Sequence, residues 1–108
     1  VEHHSHVAEA YLALARLGAR WKRFDDALAA LTEANRLRPG WDEAQLLQAQ
    51  ILILQGKREQ AATAVGAAVA ASPENTSMRR FYGQLLLEQK DYAGAIEQFS
   101  TLAEQQPE

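Results

Sequence analysis

The stretch Lys90-Asp91-Tyr92-Ala93-Gly94-Ala95-Ile96-Glu97 sets a polar break before an aromatic residue and an alanine, and it stands in register with two earlier parts of the chain. Ala95 lies 34 residues after Ala61, which lies 34 after Ala27. The 3 prolines, Pro39, Pro73 and Pro107, keep the same interval. Extending the shift aligns Ala15 with Ala49 and Gly83, Leu17 with Ile51 and Leu85, and Leu14 with Gln48 and Tyr82. Leu28, Ala62 and Ile96 form a further column, as do Leu31, Val65 and Phe99, and no insertion is needed. A fixed period of about 20–50 residues marks a stack of one repeated supersecondary unit.

Within a unit the apolar spacing is helical. Tyr82, Leu85 and Leu86, then Phe99 and Leu102, follow the three-and-four pattern of one buried stripe. Breaks at Lys22-Arg23, at Gln55-Gly56-Lys57, at Lys90-Asp91 and around each proline divide every unit into two helices. The expected spans are residues 7–21 and 25–37, 42–55 and 58–71, then 76–89 and 92–105. Proline lacks the amide hydrogen and disfavours the α conformation before it, so Pro39 and Pro73 stop the second helix of their units. Asp42 and Thr76 stand where N-caps of the next helices belong. Ala15, Ala49 and Gly83 on the first helices, and Ala27, Ala61 and Ala95 on the second, let the paired axes approach closely.

The 34-residue period, the small residue at the eighth position, Ala at the twentieth and Pro at the thirty-second resemble the tetratricopeptide repeat. The opening stretch resembles that family's turn and second-helix start, and Phe24 to Leu28 repeats it. The resemblance covers residues 8–107 and implies an all-α fold: a right-handed superhelical array, or α-solenoid, of three antiparallel hairpins with six helices. Repeats at about 8–41, 42–75 and 76–108 make up one domain, after a disordered stretch at residues 1–7. Departures are Gln45 and Gln48 at bulky apolar positions, Arg58 where Phe24 and Tyr92 stand, and Arg79 in place of an aromatic. The middle hairpin is therefore thinly filled and expected to be the least stable. Gly18, mid-helix, carries a cost of roughly 1 kcal/mol relative to Ala.

In such arrays the first helix of each pair lines a concave groove. Carried across by position, the resemblance implies a groove lined by Glu9, Leu12, Arg16, Ala19 and Arg20 in the first unit. The second adds Glu43, Leu46, Gln50, Ile53 and Leu54, and the third Ser77, Arg80, Gln84, Leu87 and Glu88. Leucine and isoleucine supply apolar contact, and Arg16, Arg20 and Arg80 supply charge-assisted hydrogen bonds, so the expected ligand is a peptide or protein segment of some acidic character. For any one leucine, packing within the array is an equally good reading. The family's carboxylate clamp is not expected, because its positions carry Leu12, Arg16, Leu47, Ser77 and Phe81, of which only Arg16 is cationic.

Catalysis is not expected. The chain has 0 Cys, and its 3 His are His3, His4 and His6, so no nucleophile–histidine pair can form within the repeats. The histidines are competent metal ligands by type, but a frayed terminus is the plainer reading, and neither metal nor cofactor is expected. Gly56-Lys57 lacks the leading glycine and the strand of a phosphate loop. Asp25-Asp26 reads as acid at a helix start. A net charge of −3 argues against nucleic acid, and the longest apolar runs, such as Ile51-Leu52-Ile53-Leu54, are too short to span a membrane. Arg16, Arg20 and Arg23 read as a solvated helix face.

Ile96, Phe99, Leu102 and Ala103 make a stripe on the last helix with no capping helix after it. A piece cut from a longer, bacterial-type array would look this way, and the missing initial Met fits that reading. Weak self-association through the third repeat, as a structural segment of a larger assembly protein, is the alternative. The cytoplasm is favoured over the periplasm, though a removed export signal would leave no trace in this sequence.

Overall fold

The computed structural model describes residues 2–105, with side chains from His6 onward. Its order is α1 (Glu2–Arg20), α2 (Phe24–Leu37), α3 (Asp42–Leu54), α4 (Arg58–Ala71), α5 (Thr76–Glu88) and α6 (Tyr92–Gln105), with no strand among the described residues. The helices fall where the apolar spacing put them, and α2 and α4 end two residues before Pro39 and Pro73. Pro107 lies outside the described residues.

Two expectations change. The helix α1 starts at Glu2, so residues 2–7 are helical where a disordered stretch was expected; Val1 lies outside the described residues. The reason is local, since no Gly or Pro precedes Gly18 to break the helix. The two N-caps also move back by one position. Asn75 caps α5, its Oδ1 accepting from the Met78 N–H at 3.1 Å, so Thr76 is already the first helical residue. At α3 the cap position is held by Trp41, without a side-chain bond, and Asp42 opens the helix with its charge toward the positive end of the dipole.

The chain divides into two compact units, one ending at Lys57 and holding α1–α3, the other beginning at Arg58 and holding α4–α6. The division falls at a hairpin turn inside the second repeat and not at a proline, where the single expected domain gave no boundary. In the first unit α1 lies along α2, and α3 packs on both. Ala8, Leu12, Ala15, Ala27, Leu31 and Ile51 form the centre of its core. Trp41 closes the α2–α3 turn, 8 % exposed, with the Arg38 guanidinium 4.3 Å above its ring. In the second unit α5 packs on α4 and α6, and Ala61, Val65, Met78, Leu85 and Ala95 are buried.

Glycines set two of the close approaches. A methyl at Gly18 would lie 3.0 Å from Ala27 Cβ and 3.2 Å from the Arg23 carbonyl, so this residue brings α1 against the start of α2. Gly18 is thus an element of packing as well as a propensity cost. In the second unit the Tyr82 phenol lies across Gly66 of α4, where an added methyl would stand 2.9 Å from its oxygen.

All three hairpin turns are closed alike. The N–H of Arg23, Lys57 and Asp91 donates to the carbonyl of Gly18, Leu52 and Leu86 at 2.7, 2.8 and 2.8 Å. The N–H of the residue before each donates to the carbonyl of Ala19, Ile53 and Leu87. This is the paired bonding of a Schellman motif, which requires a left-handed residue between. That residue is Lys22 (φ 60°), Gly56 (φ 81°) or Lys90 (φ 66°), each 34 positions from the next.

Two outcomes follow for stability. Left-handed backbone costs a non-glycine residue about 1–2 kcal/mol, so Lys22→Gly and Lys90→Gly should each raise the melting temperature, while Gly56→Ala should lower it by several degrees. Thermal unfolding followed by circular dichroism reads both signs, and a gain from Gly56→Ala would contradict the turn geometry. Gly18→Leu copies the residue that Leu52 and Leu86 supply at the equivalent positions. It should nevertheless destabilise by about 2 kcal/mol, the usual scale of overpacking, because short, rigid groups face it.

Candidate functional site

The expected groove residues lie on α1, α3 and α5, each of which presents one stripe at intervals of three and four residues. In the first unit Glu9, Arg16 and Arg20 are exposed on α1 and Ala19 is half-buried. On α3, Glu43, Gln50 and Leu54 are exposed, and Leu46 and Ile53 are half-buried. The two stripes meet: Arg16 Nη2 stands 3.2 Å from Glu43 Oε2. Both side chains are more than half exposed, and a pair so solvated contributes only about 0.2–1 kcal/mol. One of the free arginines expected on this face is therefore already partnered, though weakly.

Leu12 must be corrected. It was expected to line the groove, but it is 3 % exposed and belongs to the core of α1, α2 and α3. The helix α1 is flanked by both α2 and α3, and that closes the stripe over Leu12 while leaving the longer Arg16 and Arg20 outside.

In the second unit Ser77, Arg80 and Gln84 on α5 are exposed, and Leu87 is 47 % exposed. Glu88 is held by Arg58 of α4, Nη1 to Oε1 2.7 Å, so the arginine that replaces an aromatic at the second-helix start ties α4 to α5 through charge. Arg79, the other departure, also has a structural part. Its Nη1 donates to Gln98 Oε1 at 2.8 Å and its Nη2 to the Pro73 carbonyl at 3.0 Å, a carbonyl that also accepts from Gln105 Nε2 at 2.9 Å. The guanidinium thus joins α5 to α6 and to the turn before α5, work that an aromatic would do by packing.

Of the histidines, His6 is exposed on α1, and the side chains of His3 and His4 lie outside the described residues. Among the described residues no three His, Cys, Asp or Glu side chains gather as a metal site would require.

The sequence reading missed an apolar surface. Leu14, Leu17 and Trp21 follow each other along α1 and are 55, 52 and 71 % exposed, outlining a hollow of about 530 Å³ with Gly18, Arg23 and Asp26. The signal was present, since Trp21 stands in a column whose other members are Gln55 and Gln89. On α6, Tyr92, Ile96 and Phe99 are 57, 65 and 36 % exposed and with Leu87 outline a second hollow of about 450 Å³.

Two profiles of a family described as tetratricopeptide repeat match the chain, over residues 8–40 and over residues 46–108. No curated protein sequence matches it. Solved structures of similar fold include MamA, with a TM-score of 0.78 at 19 % identity over 93 % of this chain and 58 % of that one. YrrB, described as a tetratricopeptide protein with an unusual peptide-binding site, gives 0.70 at 20 % identity over 95 % of this chain and 53 % of that one. TTC0263, a thermophilic protein of the same kind from Thermus thermophilus, gives 0.69 at 28 % identity over 94 % and 54 %. The chain thus spans little more than half the length of these proteins, and the likeness is one of fold.

The burial pattern separates two leucines of the expected groove. Leu12→Ala should cost about 2–5 kcal/mol, as deletions in a packed core do, whereas Leu87→Ala should change stability by no more than about 0.5 kcal/mol. Urea unfolding of the two variants would show equal losses if Leu12 lay on the surface after all.

Proposed function

The chain belongs to the tetratricopeptide repeat family, and on that premise we propose that it is a protein-interaction scaffold whose first-helix faces take a peptide segment combining acidic and apolar residues. The observation that carries this reading is the exposed face of α1 and α3 in the first unit. There Arg16 and Arg20 are exposed on α1, and α3, which packs on it, presents the exposed Gln50 and Leu54 and the half-buried Ile53. Guanidinium forks recognise carboxylates, side-chain amides accept and donate to a peptide backbone, and the apolar pair offers contact area. The Arg16–Glu43 pair does not compete strongly, because an incoming carboxylate can replace a solvated partner at little cost. On α5, Arg80, Gln84 and Leu87 repeat the same combination.

Support comes also from YrrB, a protein of like fold described as having a peptide-binding site. Leu12 is left out of the binding set because it is core. The reading assigns no catalytic role and no cofactor. No helix among the described residues is long and apolar enough to cross a membrane. The apolar surfaces on α1 and α6 favour a second role, in self-association.

Fluorescence anisotropy with labelled peptides of matched length tests the first role. Peptides that alternate Asp or Glu with Leu should bind, and basic or purely polar ones should not. The double reversal Arg16→Glu/Arg20→Glu should weaken binding by at least about tenfold, the scale of one lost charge-assisted bond, and added salt should weaken it in the parent chain. Equal affinity for acidic and basic peptides, or no loss in the double reversal, would remove the proposal's basis.

A further inference from the structure

The face of α1 and α3 that offers Arg16 and Arg20 also carries acid at a defined place. Arg16 of α1 and Glu43 of α3 meet between two helices packed on each other, Nη2 to Oε2 3.2 Å. That contact leaves both partners incomplete. A guanidinium carries five N–H donors, and Arg16 places only Nη2 on Glu43. The other nitrogens of Arg16 and the second carboxylate oxygen of Glu43 have no partner among the described residues. Arg20, one turn further along α1, is exposed and has no ion-pair partner among the described residues.

Glu43 also borders a hollow of about 340 Å³ at the α2–α3 turn, shared with Trp41 and Asp42. Asp42 is a second exposed carboxylate there. The one base of the hollow, Arg38, is stacked over the Trp41 ring at 4.3 Å. Bases on α1 and acids at the start of α3 therefore meet at a single contact, with unused bonding capacity on each side of it.

A carboxylate arriving at Arg16 can displace Glu43 at little cost, but it then stands beside a like charge, which is unfavourable across an interface. A base close to the ligand's acid removes that conflict. The acid takes the open donors of Arg16 and the base takes the open oxygen of Glu43, so the four charges alternate. A network of charges is worth more than exposed pairs taken singly. Since the two side-chain ends lie 3.2 Å apart, the ligand's acid and base must also lie close together. In an extended segment, side chains two positions apart share one side. Resting on the reading that this face binds peptides, we propose that its partner is a segment with an acidic and a basic residue two positions apart, and that Glu43 selects for the base.

Three labelled peptides of equal length on one leucine-containing frame provide the test. The first carries Glu and Lys two positions apart, the second carries the same residues at opposite ends, and the third has Gln in place of Lys. In anisotropy titrations the parent chain should bind the first more tightly than the second by about two- to fivefold, the range that one exposed ion pair spans. In Glu43→Gln the first two peptides should bind equally, and the third should gain by a similar factor over its affinity for the parent. Glu43→Lys should rank the third peptide first. Glu97→Gln makes the same change of net charge on α6 and should leave the parent's ranking unaltered. Glu43 is exposed, so its replacement should keep the helicity, and the comparison of the first two peptides on the parent needs no variant at all.

Equal affinity of the parent for those two peptides overturns the proposal, as does a preference that persists in Glu43→Gln. If binding then still depends on the ligand's acid and falls in Arg16→Glu/Arg20→Glu, peptide binding by this face stands and only the role of Glu43 is lost. Failure of all three peptides to bind removes both.

Discussion

A helix pair has an apolar stripe on each side of its second helix and can cover only one of them with its own partner. Leu31 and Val65 make the constraint visible: they are 0 and 2 % exposed in α2 and α4, on which α3 and α5 pack, while their equivalent on α6, Phe99, is 36 % exposed. The rest of the chain serves this stacking. Small residues at Ala15, Gly18 and Ala27 hold α1 and α2 close enough to act as one slab. A left-handed residue at Lys22, Gly56 or Lys90 fixes the angle at which the chain reverses. Both features recur because each hairpin must present the same surface to its neighbour. Had one turn differed, the columns of the register would no longer name equivalent places in space.

That recurrence is why so much of the fold is legible from sequence. A period without insertions requires the same backbone path in each unit, and Pro39 and Pro73 mark where a helix cannot continue. Legibility fails where backbone and side-chain identity part. Lysine gives no hint of a left-handed conformation, so Lys22 and Lys90 are recognisable as turn residues only through their alignment with Gly56. The N-caps were misplaced for a similar reason. Asp42 and Thr76 are good capping residues by type, but the chain enters each helix one residue earlier, through Trp41 and Asn75. In the first case packing of the indole outweighs a side-chain cap.

The candidate site was legible in part. Helical spacing puts Arg16 with Arg20 on α1, and Gln50 with Ile53 and Leu54 on α3, because a stripe is a property of one helix. Depth is not such a property. Leu12 shares its stripe with Arg16, yet α2 and α3 both flank α1 and take Leu12 into the core. The length of arginine then decides what remains outside, since a guanidinium can reach past a buried stem. The same distinction explains Arg79, which reads in sequence as a lost aromatic and proves in structure to be a cation tied to Gln98 and the Pro73 carbonyl.

The distribution of polar and apolar residues along single columns adds a last argument. If the end faces were built for water, their columns would turn polar there and apolar inside. The column of Leu14, Gln48 and Tyr82 does the reverse, with its glutamine half-buried and its leucine 55 % exposed. In the column of Trp21, Gln55 and Gln89 the exposed indole, at 71 %, is again the least polar member, while both glutamines are half-buried. Ile96, at 65 %, is larger and more exposed than Ala62. Large apolar groups exposed side by side mark a surface made for contact, whether with a further hairpin of an array or with another chain.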